Sequence, residues 1–304
     1  VIGVLVMAYG GPDRLEDVGP YILDVRGHRP TPPALLDELR RRYARIGGRS
    51  PILERTTAQA SALEAALLSL GVDCRTYVGM RHWHPYIGET LRSMEATGLH
   101  RAVGLVMAPH YSRMSIGAYM RKVRDAGTTI AVRVIDEWHL LPEFLATVLE
   151  RIERAAKRFP EDQRARIPVL FTAHSLPARV LADGDPYADQ LQATVAALQA
   201  RLASRPCLFA FQSAAMTAEP WLGPDAGVRL EELAAAGERN VIVAPIGFTC
   251  EHVEILYDID IEYRAQAAAL GLRLERIEMM NDDPLLMRGL ARRIRDEAVR
   301  AGWL

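Results

Sequence analysis

Short apolar runs closed by glycine or proline alternate with amphipathic segments along most of the chain. Residues 1–8, VIGVLVMA, are continuously apolar and stop at Gly10, Gly11 and Pro12, the pattern of a central parallel strand feeding a loop. A polar stretch with Arg26, His28, Arg29, Pro30, Pro32 and Pro33 follows, and then the spacing predicts a helix over 34–45. Gly47 and Gly48 predict a tight turn before a helix starting near Ser50, whose N-terminus is suited to an anion. Further on, the pattern predicts helices over 56–70, 86–97, 115–126 and 143–158. Strands are predicted over 74–80, 102–109 and 130–135, so that β and α alternate.

The charged, proline-bounded stretch FPEDQRARIP at 159–168 reads as a linker, and the chain is divided there into halves 1–158 and 159–304. Past it the order of elements repeats. PVLFTAHSLP at 168–177 mirrors GVLVMAYGGP at 3–12, and VIVAPIGFT at 241–249 mirrors VGLVMAPHYS at 103–112. The expected fold class is α/β: two similar Rossmann-like, doubly wound halves, with parallel sheets facing a central cleft. Ligands bind beyond the carboxyl ends of strands in such sheets, which is where Tyr9, His174 and the residues after Thr249 arrive.

One segment breaks the alternation. Glu251, Glu254, Asp258, Asp260 and Glu262 crowd into FTCEHVEILYDIDIEY, residues 248–263, and no Lys or Arg occurs from Asn240 to Tyr263. Glu254, Asp258 and Glu262 recur at every fourth position, on roughly one helical face, where like charges repel by about 0.2–0.5 kcal/mol per pair. Val253, Leu256, Ile259 and Ile261 anchor the other face to a core, and a cation would relieve the repulsion. His252 stands among the carboxylates, and imidazole with carboxylate suits Fe(II) better than Ca(II) or a thiolate-loving metal. The same pattern is also compatible with a solvated acidic face.

Composition narrows the function classes. With 304 residues and 49% hydrophobic positions the chain has ample core, and a formal charge of -1 gives no field to recruit nucleic acid or an anionic membrane. The three cysteines, Cys74, Cys207 and Cys250, lie far apart without a CxxC, against a disulfide framework or an iron–sulfur cluster and in keeping with a reducing cytoplasm. No apolar run approaches the roughly 20 residues of a membrane helix. The opening run has no basic residues ahead of it and reads as a strand, not a signal peptide.

Several common chemistries are missing: there is no GxGxxG after a strand, no GxxxxGK[ST], no GxSxG and no HExxH. Ser175 follows His174 on an extended segment, so the two side chains point apart and the histidine cannot activate the serine. His82, His84 and His110 are read as structural or surface residues. His174 differs because it ends a buried strand and lies in a turn sealed by Pro177, placed to face the acidic helix.

Together these pieces carry a resemblance. AHSLP at 173–177 with GDPY at 184–187, FQS at 211–213 with PWLGP at 220–224, and PIGFTCEHVEILYDIDIEY at 245–263 resemble the ferrochelatases, most closely the bacterial coproporphyrin III branch. LVMAYGGP at 5–12 and RRYARIGGRSP at 41–51 extend the match over essentially the whole chain. The resemblance implies the chelatase fold, a porphyrin in the cleft, and Fe(II) as the inserted substrate with no permanently bound cofactor. It implies His174 and Glu254 as the catalytic pair about the metal, and a metal path of Glu251, His252, Asp258 and Glu262 on a helix containing a π-type widening, which would align the acids better. It places Arg26, Arg42, Tyr43, Ser50 and Tyr119 at the propionates, with Arg45 as an extra candidate, and Tyr9 where it can contact the iron. The cysteine-bearing extension of the mitochondrial branch is absent, so no iron–sulfur cluster is expected, and polar PYILDVRGHRPTPP at 20–33 stands in place of that branch's apolar lip. The frequent Ser-Asp before the motif histidine is Cys250-Glu251 here. The expectation is a cytoplasmic, monomeric enzyme making coproheme from coproporphyrin III. Rivals are a protoporphyrin IX ferrochelatase, a cobalt or nickel chelatase for sirohydrochlorin, and a noncatalytic haem or metal carrier.

Overall fold

Ile2–Ala8, buried at every position, forms β1 because a strand covered on both faces has no polar side to present. The computed structural model describes residues 1–202, 205–215 and 217–304. The chain divides into two compact units, one of Val1–Trp138, Cys250–Val253 and Asn281–Leu304, the other of His139–Thr249 and Glu254–Met280.

In the first unit β1 is followed by α1 (Val18–Val25), α2 (Pro33–Arg45), α3 (Ile52–Ser69), β2 (Cys74–Met80), α4 (Ile87–Ala96), β3 (Arg101–Val106), α5 (Ile116–Arg124) and β4 (Ala131–Ile135). The four strands are parallel in the order β2-β1-β3-β4. Ile87, Leu91 and Met94 fall on one face of α4 and pack with Leu5 and Met7 of β1 and Ile116 of α5. Gly47 and Gly48, at φ +101° and +83°, make the turn before α3, a conformation that a β-carbon would strain.

In the second unit the elements are α6 (Pro142–Ala156), β5 (Val169–His174), α7 (Arg179–Ala182), α8 (Tyr187–Gln199), β6 (Cys207–Gln212), α9 (Ala226–Ala235) and β7 (Asn240–Pro245). A π-helix (Glu254–Tyr263), α10 (Arg264–Ala269) and β8 (Arg273–Arg276) follow, before the chain returns to the first unit as α11 (Pro284–Arg300). The order β6-β5-β7-β8 repeats that of the first sheet, with β5 in the place of β1 and β7 in that of β3, as the mirrored motifs predict. Ile255 and Ile259 of the π-helix are fully buried against Leu170, Val241, Val243 and Leu274. Each such side chain contributes about 1.5–3 kcal/mol of burial, which anchors the acidic segment.

Two expectations need correction. The polar stretch after β1 contains a helix, α1, whose Val18, Tyr21 and Ile22 are buried with Tyr43 of α2. Pro20 hides it from a pattern reading, yet it is the third residue of the helix, where its missing N–H costs no hydrogen bond. The strand expected over 102–109 spans only Arg101–Val106; the chain bends at Met107, and the Pro109 carbonyl beyond accepts the Trp138 backbone N–H at 3.0 Å.

Candidate active site

His174 is the last residue of β5, and β5 lies beside β7 where the strand order of the second sheet reverses, the place at which doubly wound sheets take ligands. Its ring is fixed from one side, since Nδ1 bonds the Ser175 carbonyl. A carbonyl only accepts, so Nδ1 carries the proton and the neutral ring keeps a lone pair on Nε2. Nε2 lies 3.5 Å from Glu254 Oε1, with both side chains about one-third exposed or less, at 33% and 26%. Tyr187 donates its hydroxyl to the His174 carbonyl at 2.9 Å, and burial, with the Glu254 charge behind it, raises its phenol above the ordinary range. Ser175 donates instead to the Leu222 carbonyl at 2.8 Å and is wholly buried, which removes it as a nucleophile. Gly247 permits the close approach of the segment after β7, because a β-carbon there would lie 2.8 Å from Ala173 Cβ.

The π-helix is pinned by residues at the end of β6. Gln212 is fully buried; Thr172 donates to its Oε1 at 2.7 Å, which turns its amide Nε2 toward the Glu254 carbonyl at 3.1 Å. Ser213, at φ +60°, donates its hydroxyl to Asp258 Oδ2 at 2.5 Å. Asp258 is buried, Glu254 half-buried and Glu262 exposed. Gln212 and Ser213 lie within the FQS motif, and their only mark in the sequence is a glutamine and a serine at the end of an apolar strand.

The expectation that no cation neutralises these acids fails for at least Asp260 and Glu251. Arg276 grips Asp260 with two bonds of 2.8 Å, and in the first unit Arg55 lies 3.1 Å from Glu251, which also accepts from Asn281 at 3.3 Å. Both arginines lie outside the window that sequence reading searched. His252 donates Nδ1–H to the Cys250 carbonyl at 3.1 Å and belongs with Glu251 to the first unit. The six residues read as metal ligands are thus divided, with His174, Glu254, Asp258 and Glu262 in one unit and Glu251 and His252 in the other. Among the described residues no group of three or more His, Cys, Asp or Glu is gathered to hold a metal ion.

The residues read as porphyrin contacts all lie in the first unit. Tyr9 follows β1 at 38% exposure, its ring 4.6 Å from that of His82, and Arg81 stands 5.5 Å from the ring centres of both Tyr9 and Tyr119. Tyr119 is buried, and burial raises its phenol well above the usual range. Arg26 ends α1, Arg42 bonds Glu38 at 3.0 Å, and Arg45 is exposed. Tyr43 is buried edge-on to Tyr21, and Ser50 is buried with its N–H on the Pro12 carbonyl at 2.8 Å. His82 bonds Asp24 through Nδ1 at 2.7 Å, and burial pushes its pKa down to about 4. His84 is exposed and bonds Glu89 at 3.2 Å.

The fold has solved counterparts. SirB from Bacillus subtilis, solved with Fe3+, superposes with a TM-score of 0.59 over 99% of this chain and 96% of its own, at 11% identity. A likeness at that identity defines the fold class, a two-unit α/β chelatase fold. The ferrochelatase family model matches residues 1–298. A ferrochelatase of Herpetosiphon aurantiacus is 43% identical over 286 residues, covering 92% of this chain and 94% of that relative. A coproporphyrin III ferrochelatase of Listeria monocytogenes is 37% identical over 290 residues, covering 93% and 94%. The chain belongs to the ferrochelatase family, and its reaction is the insertion of iron into a porphyrin in haem synthesis, a lyase reaction.

Proposed function

We propose that the protein is a coproporphyrin III ferrochelatase in which His174 is the base that takes the pyrrole protons and Glu254 the group that receives them from His174 and a ligand of the entering iron. The observation that carries the roles is the orientation of His174, with Nδ1–H on a carbonyl and Nε2 at 3.5 Å from Glu254. Iron displaces two protons from the macrocycle. In each of two rounds Nε2 accepts one pyrrole proton, the imidazolium donates it to the Glu254 carboxylate, and Glu254 releases it outward. Asp258 and Glu262 extend the line of acids from a buried to an exposed position, a graded path for hydrated Fe(II) inward and protons outward.

The choice of porphyrin rests on charge. Coproporphyrin has four propionates where protoporphyrin has two, with two vinyl groups in place of the others. Arg26, Arg42 and Arg45 supply charge for them, Tyr43, Ser50 and Tyr119 hydroxyls, and Tyr9 the contact at the ring. Support also comes from the 37% identity over 290 residues to a protein named coproporphyrin III ferrochelatase. The second reading is protoporphyrin IX, with which the name of the 43% identical relative, ferrochelatase, is equally compatible because it specifies no porphyrin. One extra charged hydrogen bond favours coproporphyrin by about tenfold or more. The test is kcat/KM for both porphyrins in one detergent-free buffer: a preference of that size for coproporphyrin is expected, and equal values or a preference for protoporphyrin would overturn the assignment.

A further inference from the structure

Asp24, on α1, and His82, just past β2, form a buried pair that neither the reaction nor the propionates use. His82 is 7% exposed, its Nδ1 lies 2.7 Å from Asp24 Oδ2, and its Nε2 is buried with no hydrogen-bond partner among the described residues. The same residue grips Tyr9 twice: its backbone N–H donates to the Tyr9 carbonyl at 2.9 Å, and its ring lies 4.6 Å from the Tyr9 ring at an angle of 52°. Packing alone does not account for an imidazole here, because a phenyl ring would fill the space without stranding a buried nitrogen. The ring nitrogen that is satisfied supplies the reason. An imidazole can be turned to one orientation by a carboxylate, whereas an apolar ring is free to slide.

We infer that Asp24 and His82 are a positioning pair for Tyr9, holding its ring at the carboxyl end of β1 so that it meets the bound tetrapyrrole in one orientation. Asp24 sets the plane of His82, and His82 sets Tyr9. This rests on the reading that Tyr9 contacts the porphyrin, and the two can fail separately.

A double-mutant cycle read by fluorescence titration with coproporphyrin III tests it. Asp24→Leu weakens porphyrin binding about five- to tenfold, the size expected for losing one hydrogen bond to a charged group, and leaves KM for Fe(II) unchanged. Asp24→Asn, which keeps an oxygen to accept the Nδ1–H bond, retains most of the affinity. In a Tyr9→Ala background Asp24→Leu has no further effect. The same loss with and without Tyr9 overturns the inference and returns the pair to a purely structural role. Unchanged porphyrin affinity in Tyr9→Ala alone overturns the Tyr9 contact itself, and the inference with it. Should Asp24→Leu fail to fold, His82→Phe, which preserves a ring of similar size, gives the same cycle.

Discussion

At the scale of single residues, two histidines are each held through Nδ1 and differ in what the other nitrogen meets. His174 bonds a carbonyl and turns Nε2 toward Glu254, whereas His82 bonds Asp24 and is buried. The burial of His82 has a consequence for stability. Its pKa falls to about 4 in the folded protein, below the roughly 6.5 of an unfolded histidine, so between those values the unfolded chain holds the extra proton. Stability therefore rises with pH through that window and is lost as pH falls from about 6.5 to 4. Denaturant midpoints of the wild type and His82→Phe across this range check it. The wild type is expected to lose more stability than the variant on acidification, and parallel curves would contradict the account.

His174 was legible in the sequence because it closes an apolar run at a proline-sealed turn, which only a strand end produces. Arg276 and Arg55 were not, because ion pairing depends on a fold that brings distant segments together, and a charge count along the chain sees only neighbours. The pairing of His82 with Asp24 was hidden for the same reason, since Asp24 sits on the helix that Pro20 conceals.

At the scale of elements, the π-helix concentrates the chemistry. Its apolar face is fixed by Ile255 and Ile259, its first turn by Gln212, and its middle acid by Ser213. Asp260 points to Arg276 instead, so the line of acids reduces to Glu254, Asp258 and Glu262. Replacing Asp258 by Asn and Glu262 by Gln together is expected to raise KM for Fe(II) about tenfold or more while kcat falls less, and to change stability by under about 1 kcal/mol because repulsion is relieved. Steady-state rates against Fe(II) concentration and a thermal midpoint measure both effects, and an unchanged metal dependence would make this a solvated face. The spacing of these acids showed in the sequence as a four-residue repeat. The π geometry entered only through the family resemblance, because its wide turns share the residue composition of an α-helix. The opposite lesson comes from α1, where one proline in the first turn masked an ordinary amphipathic helix.

At the scale of the whole molecule, the repeated strand order explains why so much could be read from pattern. GVLVMAYGGP and PVLFTAHSLP occupy matching places as β1 and β5, which puts Tyr9 and His174 at equivalent strand ends in their own sheets. The discontinuous make-up of the first unit, which recruits Cys250–Val253 and Asn281–Leu304, had no local signal, since no composition shift marks where a chain changes units. The account as a whole stands on His174 and Glu254 acting as one proton-transfer and metal-handling pair. Anaerobic mixing with Fe(II) and coproporphyrin III, followed by visible absorption, compares the wild type with His174→Ala after fluorescence quenching has matched their porphyrin occupancy. Conversion to the metalloporphyrin spectrum is expected from the wild type and a rate at least about a hundredfold lower from the variant, the scale of losing a general base; near-normal insertion by His174→Ala would remove His174 from that role.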